Sequence, residues 1–405
     1  MKKTYLKNIL GLILLVIFSI QCSVDTPQAP EYQLQSYPIT YVALGNSLTA
    51  GYQSGGMRKD WQENSYPALL AKDLNISDFQ QPIIDTPGIG PMINGQLRTP
   101  YYFDGVSIKT DPLTVNPEDL LSNKLLSRPY NNLGIPGATT KDLLYATNSA
   151  TSQSGNNPYF DMILRNPNFG NSTPLQQAIL LNPTLITLWI GNNDILGGVV
   201  SGTIVEGVTV TPVDSYRSMM DAIFDSLLNQ THANIYVANI PDIASIPFVT
   251  TIPPVIFNPE TFQPVAGNIS FLTEEDNVKY ILFSALDSIL IGVGIPQQLG
   301  GTGRKLPGFF TLTEEEVDQV NSLVESYNSY LEEKASSNNR IFLVDIHQLM
   351  KDLEEGKIEG LSAKFFLLDP QNTAFSLDGV HPNNRGYKYI EKEFLKVILN
   401  SMSGS

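Results

Sequence analysis

The sequence is poor in the residues that build disulfides and metal sites. Its 405 residues include one cysteine and three histidines. A single cysteine cannot form an internal disulfide, so the fold does not depend on such a bond. The cysteine and the histidines do not have the spacing of a metal-ligand set. No glycine-rich loop is followed by the lysine of a phosphate-binding motif. The sequence therefore predicts no metal site and no cofactor.

Basic residues are also scarce. Lysine and arginine total 25, against 40 aspartate and glutamate residues, which gives a formal net charge of −15. Binding to a phosphate backbone requires clustered positive charge, so we expect no nucleic-acid partner. Hydrophobic residues make up 42% of the chain, which is enough for a sizeable core.

The N-terminal region has a short apolar run at 9–20, preceded by Lys2, Lys3 and Lys7. The run is shorter than the about 20 residues that a membrane-spanning helix needs. A basic segment followed by a short apolar one is typical of a secretory signal. We therefore expect residues 1–21 to be a signal peptide and the protein to be secreted across the inner membrane.

The only cysteine, Cys22, comes directly after this run. Its position resembles the lipidation site of bacterial lipoproteins, although the usual leucine and the small residue before the cysteine are missing. The resemblance implies a lipid at Cys22 that anchors the protein to the cell envelope, on the periplasmic or the surface side. The alternative is an ordinary cleaved signal with an incidental cysteine. The polar stretch 22–37 reads as a tether, and 38–402 as one domain.

Short apolar runs alternate with helical patterns along this domain. The runs are rich in valine, isoleucine, leucine and aromatic residues and lack polar alternation, as strands covered on both faces do. They lie at 39–44, 185–190, 234–239 and 341–344, and a fifth, weaker run precedes Asn131. The helical patterns lie at 213–228, 313–334 and 383–399. This order predicts an α/β fold, with helices on both faces of a parallel sheet.

Two long stretches, 52–128 and 243–311, do not fit this alternation, and we expect them to be insertions. The second contains the apolar run 246–257, whose prolines exclude a regular helix and favour an extended path. It also has apolar residues at helical spacing over 278–293, which predicts a helix there.

The apolar side chains of the second insertion have three alternative roles. They can pack on the core, cover the site as a lid, or contact an apolar substrate. The third role makes Phe248 and Ile256 candidates for binding an acyl chain. Together with the expected membrane anchor, it slightly favours lipid esters as the substrate.

Motifs with chemically useful residues follow the predicted strands, at 45–48, 132–139, 191–194 and 378–382. The carboxyl ends of parallel strands meet at one edge of a sheet, so we expect these motifs to converge. A serine hydroxyl needs an adjacent base, and a histidine held by a carboxylate supplies one. An oxyanion needs preorganised donors, such as backbone N–H groups and a side-chain amide.

Together and in this order, the four motifs resemble those of the SGNH, or GDSL-type, hydrolase family. The resemblance implies a flavodoxin-like, three-layer α/β/α sandwich of about five parallel strands. It also implies hydrolysis of carboxylic esters, of lipids or of acylated small molecules or glycans, through an acyl-serine intermediate and without a cofactor. Residue by residue, Ser47 is the nucleophile, His381 the base and Asp378 its partner. The oxyanion donors are then Ser47, Gly137 and Asn193.

One position departs from the family pattern, because Asn46 stands where the family usually has aspartate. The alternative function is a catalytically inactive surface-binding protein on the same scaffold. Each motif also has a plainer interpretation, as a turn serine at Ser47 or an Asx turn at 192–194. We interpret Asp194 as structural. The other two histidines, His232 and His347, have no motif around them.

Overall fold

The computed structural model describes residues 39–403. The expected signal peptide, Cys22 and the tether lie outside these residues, so the expectations for them stay predictions. None of the helices in the described part of the chain is both long and apolar enough to cross a bilayer.

A parallel sheet of five strands forms the centre of the molecule. The strands are β1 (Tyr41–Gly45), β2 (Asn132–Gly134), β3 (Leu185–Trp189), β4 (Asn234–Ala238) and β5 (Ile341–Val344). Their spatial order is β2-β1-β3-β4-β5, which is the order of flavodoxin. In the register, Gly45 at the end of β1 pairs with Gly134 of β2 and Trp189 of β3. The parallel sheet that the sequence predicts is confirmed. The carboxyl ends of β1, β2 and β3 lie level with one another.

The short edge strand β2 corrects one expectation. The sequence places a weak strand before Asn131, with a glycine-rich turn after it. In the structure Asn132 and Gly134 themselves form the strand. The reason is that β2 has only three residues and includes a glycine, so it lacks the apolar run that marks the other strands.

The sheet is covered on both faces. Successive side chains of β1 point to opposite sides: Val42 and Leu44 enter one buried cluster, and Tyr41 and Ala43 enter another. Burial on both faces explains why these strands lack polar alternation. The architecture is therefore the expected three-layer α/β/α sandwich.

The three longest α-helices of the described chain all come after β3. They are α1 (Ser47–Ala50), α2 (Lys59–Gln62), α3 (Tyr66–Asp73), α4 (Thr140–Tyr145), α5 (Pro158–Leu164), α6 (Pro174–Leu180), α7 (Asn193–Ser201), α8 (Val213–Gln230), α9 (Pro247–Thr250), α10 (Leu286–Leu290), α11 (Glu314–Ser337), α12 (Ile346–Glu354) and α13 (Asn384–Ser403). The three helices expected at 213–228, 313–334 and 383–399 are α8, α11 and α13. Helix α11 begins with a capping box in which Thr313 and Glu316 bond to each other's backbone N–H groups.

The first insertion contains two short antiparallel ribbons. One pairs Met92–Ile93 with Gln96–Leu97, and the other pairs Tyr102–Phe103 with Ile108–Lys109. Both ribbons have exposed apolar side chains.

The second insertion corrects the expected helix at 278–293. Its first residues form a strand, Val278–Ile281, which pairs with Thr311–Thr313, and only Leu286–Leu290 is α-helical. The strand partner overrides the helical spacing. The apolar residues still pack as a face, because Ile281 and Ile289 are buried together in a cluster separate from the sheet.

The run 246–257 is partly as expected. Ile252, Val255 and Phe257 each make an isolated β-bridge to a neighbouring segment. Pro247–Thr250 forms one helical turn, which the sequence did not predict. Pro247 begins this turn, at the position where a helix needs no N–H.

Candidate active site

The nucleophile candidate Ser47 lies where β1 ends and helix α1 begins. Asn46 caps the helix by accepting a hydrogen bond from the Leu48 N–H at 3.0 Å. Gly45 allows this sharp transition, because a Cβ there would collide with the Thr49 hydroxyl and the Trp189 carbonyl. The hydroxyl of Ser47 is thus held at the carboxyl edge of the sheet.

Three side chains form a continuous hydrogen-bonded chain at this edge. His381 Nε2 lies 2.9 Å from Ser47 Oγ. His381 Nδ1 lies 3.0 Å from Asp378 Oδ2. A carboxylate at Nδ1 fixes the tautomer in which Nε2 accepts a proton from the serine. The structure therefore brings together the three residues that the motifs predict, although Ser47 and His381 are far apart in the sequence.

The Asp378 carboxylate is saturated with donors. Oδ1 accepts from the Ser376 hydroxyl at 3.1 Å and from the N–H groups of Val380 and His381 at 2.9 Å each. Oδ2 accepts from the Gly55 N–H at 2.8 Å. Burial alone would raise the pKa of Asp378, but the charge of His381, the hydrogen bond from its ring and the backbone N–H groups of His381 and Val380 lower it to about 2. Asp378 is therefore ionised at any pH near neutrality.

A loop of the first insertion holds the Asp378–His381 pair in place, and sequence reasoning missed it. The Gly55 N–H bonds to Asp378, and the Ser54 N–H bonds to the Ser376 hydroxyl at 2.8 Å. The Tyr52 ring packs against the His381 ring, with 4.7 Å between centroids. Gly55 has φ +72°, and a Cβ there would meet the Tyr101 ring. The one available signal was the glycine pair 55–56, a few residues after the Ser47 helix.

The expected oxyanion donors lie on three adjacent strand ends. The N–H of Ser47 belongs to the first turn of α1, where backbone N–H groups have no acceptor within the helix. Gly137 has φ +78°, a conformation that favours glycine. Asn193 begins α7 and its Nδ2 donates to the Ala138 carbonyl at 2.8 Å. This bond ties Asn193 to the loop that carries Gly137 and leaves the second amide hydrogen for another acceptor.

The remaining motif residues have other partners. Asp194 accepts hydrogen bonds from the N–H and hydroxyl of Thr140 and from the Thr211 hydroxyl, which supports the structural interpretation. Burial raises the pKa of Asp194 to about 6. His347 Nδ1 lies 3.0 Å from the Ile240 carbonyl, and His232 is exposed. Within residues 39–403, no cluster of three or more potential ligands has the arrangement of a metal site.

The sequence as a whole matches one described family. The profile of the family named GDSL-like Lipase/Acylhydrolase matches residues 41–394. The chain belongs to this GDSL family. As a member, it is a carboxylic ester hydrolase.

Solved structures similar to this GDSL hydrolase include other esterases. A Clostridium thermocellum family 3 carbohydrate esterase is 14% identical, with 90% of this chain and 98% of that chain covered and a TM-score of 0.36. The acetyl-xylooligosaccharide esterase Axe2 from Geobacillus Stearmophilus, in a mutant form, is 12% identical, with 88% and 93% covered and a TM-score of 0.34. No curated protein matches the sequence. Likeness at this level says nothing about the substrate.

The family's usual aspartate is replaced here without loss of local order. Asn46 Nδ2 donates to Asn192 Oδ1 at 3.1 Å, while Asn46 Oδ1 accepts from the Leu48 N–H. Both asparagine side chains are buried. The amide of Asn46 therefore links the serine motif to the Asn193 motif, since it both donates and accepts.

The site of this GDSL hydrolase borders an apolar cavity of about 110 Å³. Ser47, His381, Asn192 and Asn193 are among its lining residues. The rest of the lining comes mainly from residues 241–246, from α12, from the connection between α12 and α13, and from the start of α13. We call this space the apolar cavity.

The expected acyl-binding residues do not line the apolar cavity. Ile256 is 7% exposed and packs in the separate cluster of the second insertion. Phe248 packs against the core and gives its N–H to the Gly379 carbonyl at 2.9 Å. Only the first residues of that insertion, among them Ile243 and Ile246, reach the cavity. The insertion therefore supplies two wall residues, and Ile256 belongs to its own packing.

Proposed function

We propose that this hydrolase cleaves carboxylic esters by forming an acyl ester on Ser47. The observation that carries the proposal is the hydrogen-bonded chain from Ser47 Oγ through His381 to Asp378, with both bonds at 2.9–3.0 Å. Nucleophile, base and orienting carboxylate are thus in contact before any substrate binds.

In the first half of the reaction, His381 Nε2 takes the proton of the Ser47 hydroxyl while Oγ attacks the ester carbonyl. The negative oxygen that forms accepts hydrogen bonds from the N–H groups of Ser47 and Gly137 and from Asn193 Nδ2. When the carbon–oxygen bond to the alcohol breaks, His381 gives its proton to the departing alcohol. The acyl group remains on Ser47.

In the second half, water takes the place of the alcohol. His381 removes a proton from the water, whose oxygen attacks the acyl carbon, and the Ser47 oxygen leaves with the proton from His381. The acid is released and the enzyme returns to its first state. Asp378 stays ionised throughout and stabilises the imidazolium.

The same contacts argue against an inactive binding protein. Such a protein has no need for a serine in hydrogen-bond contact with a histidine, or for a carboxylate with five donors around it. Asn46 does not displace the serine, because it is paired with Asn192.

The test uses Ser47→Ala, His381→Ala and the double variant with p-nitrophenyl acetate. We expect each single variant to lose at least a thousandfold in kcat and the double variant to lose little more, because both residues act in one step. Turnover near wild type in Ser47→Ala disproves the nucleophile assignment.

We also propose that a lipid at Cys22 anchors the protein to the cell envelope. The enzyme would then bind its ester substrate near a membrane. The support is the basic and apolar leader that ends at the only cysteine. The full-length protein should sediment with membranes, and Cys22→Ser should release it or block its maturation. A mature N-terminus elsewhere, without an acyl mass, would refute the anchor.

A further inference from the structure

The lining of the apolar cavity has almost no polar chemistry. Apart from the catalytic motif residues, the Tyr389 hydroxyl and the Trp189 indole N–H are the only polar side-chain groups among the described lining residues. The other walls are aliphatic or aromatic. They include Ile243, Met350 and Leu353, all of which are buried.

The cavity wall and the catalytic base belong to the same segment. The connection between α12 and α13 contributes Ile358, Leu361 and Phe375 to the wall, and it also carries Asp378 and His381. Hydrogen bonds hold the segment in shape, such as the Ser376 N–H to the His381 carbonyl at 2.8 Å. The position of the wall relative to Ser47 is therefore fixed.

A cavity of this kind selects hydrocarbon. Sugars and other polar groups would lose hydrogen bonds to water and find few partners there, whereas each methylene that leaves water for such a lining gains about fourfold in binding. Apolar cavities are filled by apolar ligands.

We propose that the apolar cavity binds the acyl chain of the substrate, so that the enzyme prefers esters of medium- and long-chain fatty acids to acetate esters. This inference rests on the proposed function, because the chain is the one that Ser47 carries in the acyl intermediate.

The two halves of the reaction favour the acyl chain over the alcohol as the occupant. The alcohol must leave after the first half, and water must then reach the same place beside His381. An apolar cavity is a poor path for either. The acyl chain stays bonded to Ser47 through both halves, so it can remain in the cavity while the alcohol side exchanges with solvent.

The first measurement is a substrate series with the full chain. With p-nitrophenyl acetate, butyrate and octanoate, we expect kcat/KM to rise at least about tenfold from acetate to octanoate. With acetate esters of ethanol and octanol, we expect little change. A flat acyl series, or a gain that follows the alcohol instead, overturns the proposal.

The second measurement fills the cavity from partly buried positions on two walls. Ile358→Trp and Leu349→Trp should each lower kcat/KM for the octanoate ester at least about tenfold more than kcat/KM for the acetate ester. The matched control is Leu368→Trp, in the same connection as Ile358 but 38% exposed and outside the lining, which should leave both rates as they are. Equal losses on both esters in the two cavity variants contradict the proposal.

A binding experiment distinguishes failure of this inference from failure of the proposed function. Ser47→Ala should bind decanoate in calorimetry, and adding Ile358→Trp should weaken that binding at least tenfold. If no ester is hydrolysed but decanoate binds in this way, the proposed function fails and the cavity assignment stands. If esters are hydrolysed but decanoate does not bind, the cavity assignment fails alone.

Discussion

On one side of Ser47 the side chains hydrogen-bond to one another, and on the other side they only pack. The side that we propose to be catalytic consists of Ser47, His381 and Asp378 with the donors around the carboxylate, and each contact has a defined pair of atoms. The apolar walls of the cavity consist of side chains such as Met350 and Leu361, which form no such pairs. The first side requires particular residues at particular positions. The second requires only apolar volume.

This difference separates the two tasks of an esterase. Hydrogen-bonded groups stabilise charge that develops in the reaction, so they act on turnover for every ester. Apolar walls bind the ground state and the transition state of a chain alike, so they choose among esters. Substitutions on the two sides should therefore have different signatures.

Among the substitutions that test this difference between the two sides, Asn193→Ala is expected to have the largest effect on kcat. Asn193→Ala should lower kcat by roughly 100- to 1,000-fold on acetate and octanoate esters alike, because one oxyanion donor is lost. Steady-state rates on the two esters measure this.

The neighbouring Asn192→Ala is the matched control. It should change kcat much less and instead lower the free energy of unfolding by about 1–3 kcal/mol, since it leaves the buried Asn46 amide without its acceptor. If Asn192→Ala lowers turnover more than Asn193→Ala, the assigned donor is wrong by one residue.

A smaller effect concerns pH and Asp378. Its folded-state pKa is lowered to about 2, whereas an unfolded chain has a value of about 3.9. The resulting stability, about 2 kcal/mol, is present above about pH 4 and is lost as the pH falls towards 2. Asp378→Asn lacks this contribution.

Urea unfolding of both proteins from pH 7 down to pH 3 tests this linkage. The difference in free energy of unfolding should be constant above about pH 4 and shrink below it. A difference that is the same at every pH would mean that the Asp378 carboxylate gains nothing from its donors.

The same comparison explains what the sequence could predict. The contacts of Ser47 and Asp378 with His381 were predictable because their motifs have a recognisable order. Strands such as Leu185–Trp189 were predictable because they are buried and almost entirely apolar. Strand β2 was misplaced, since three residues leave little pattern. The Gly55 N–H gave no signal beyond the glycine pair 55–56, because every residue except proline has a backbone N–H. The cavity could not be predicted, since its walls meet only through tertiary packing.

The strand at Val278–Ile281 shows the same limit. Its apolar spacing fits a helix, but pairing with Thr311–Thr313 decides the backbone. A pairing partner some 30 residues away cannot be read from local periodicity, as β propensity depends on context.

The most direct test of the central claim is covalent labelling of the nucleophile with an octyl fluorophosphonate. In this reagent phosphorus takes the place of the ester carbonyl, the Ser47 oxygen attacks it, fluoride leaves, and the octyl chain takes the place of the acyl chain. Mass spectrometry of the digested full-length protein should show one phosphonyl group, on the peptide that contains Ser47, and none in Ser47→Ala. Labelling of another residue, or no labelling of the wild-type protein, would contradict the account.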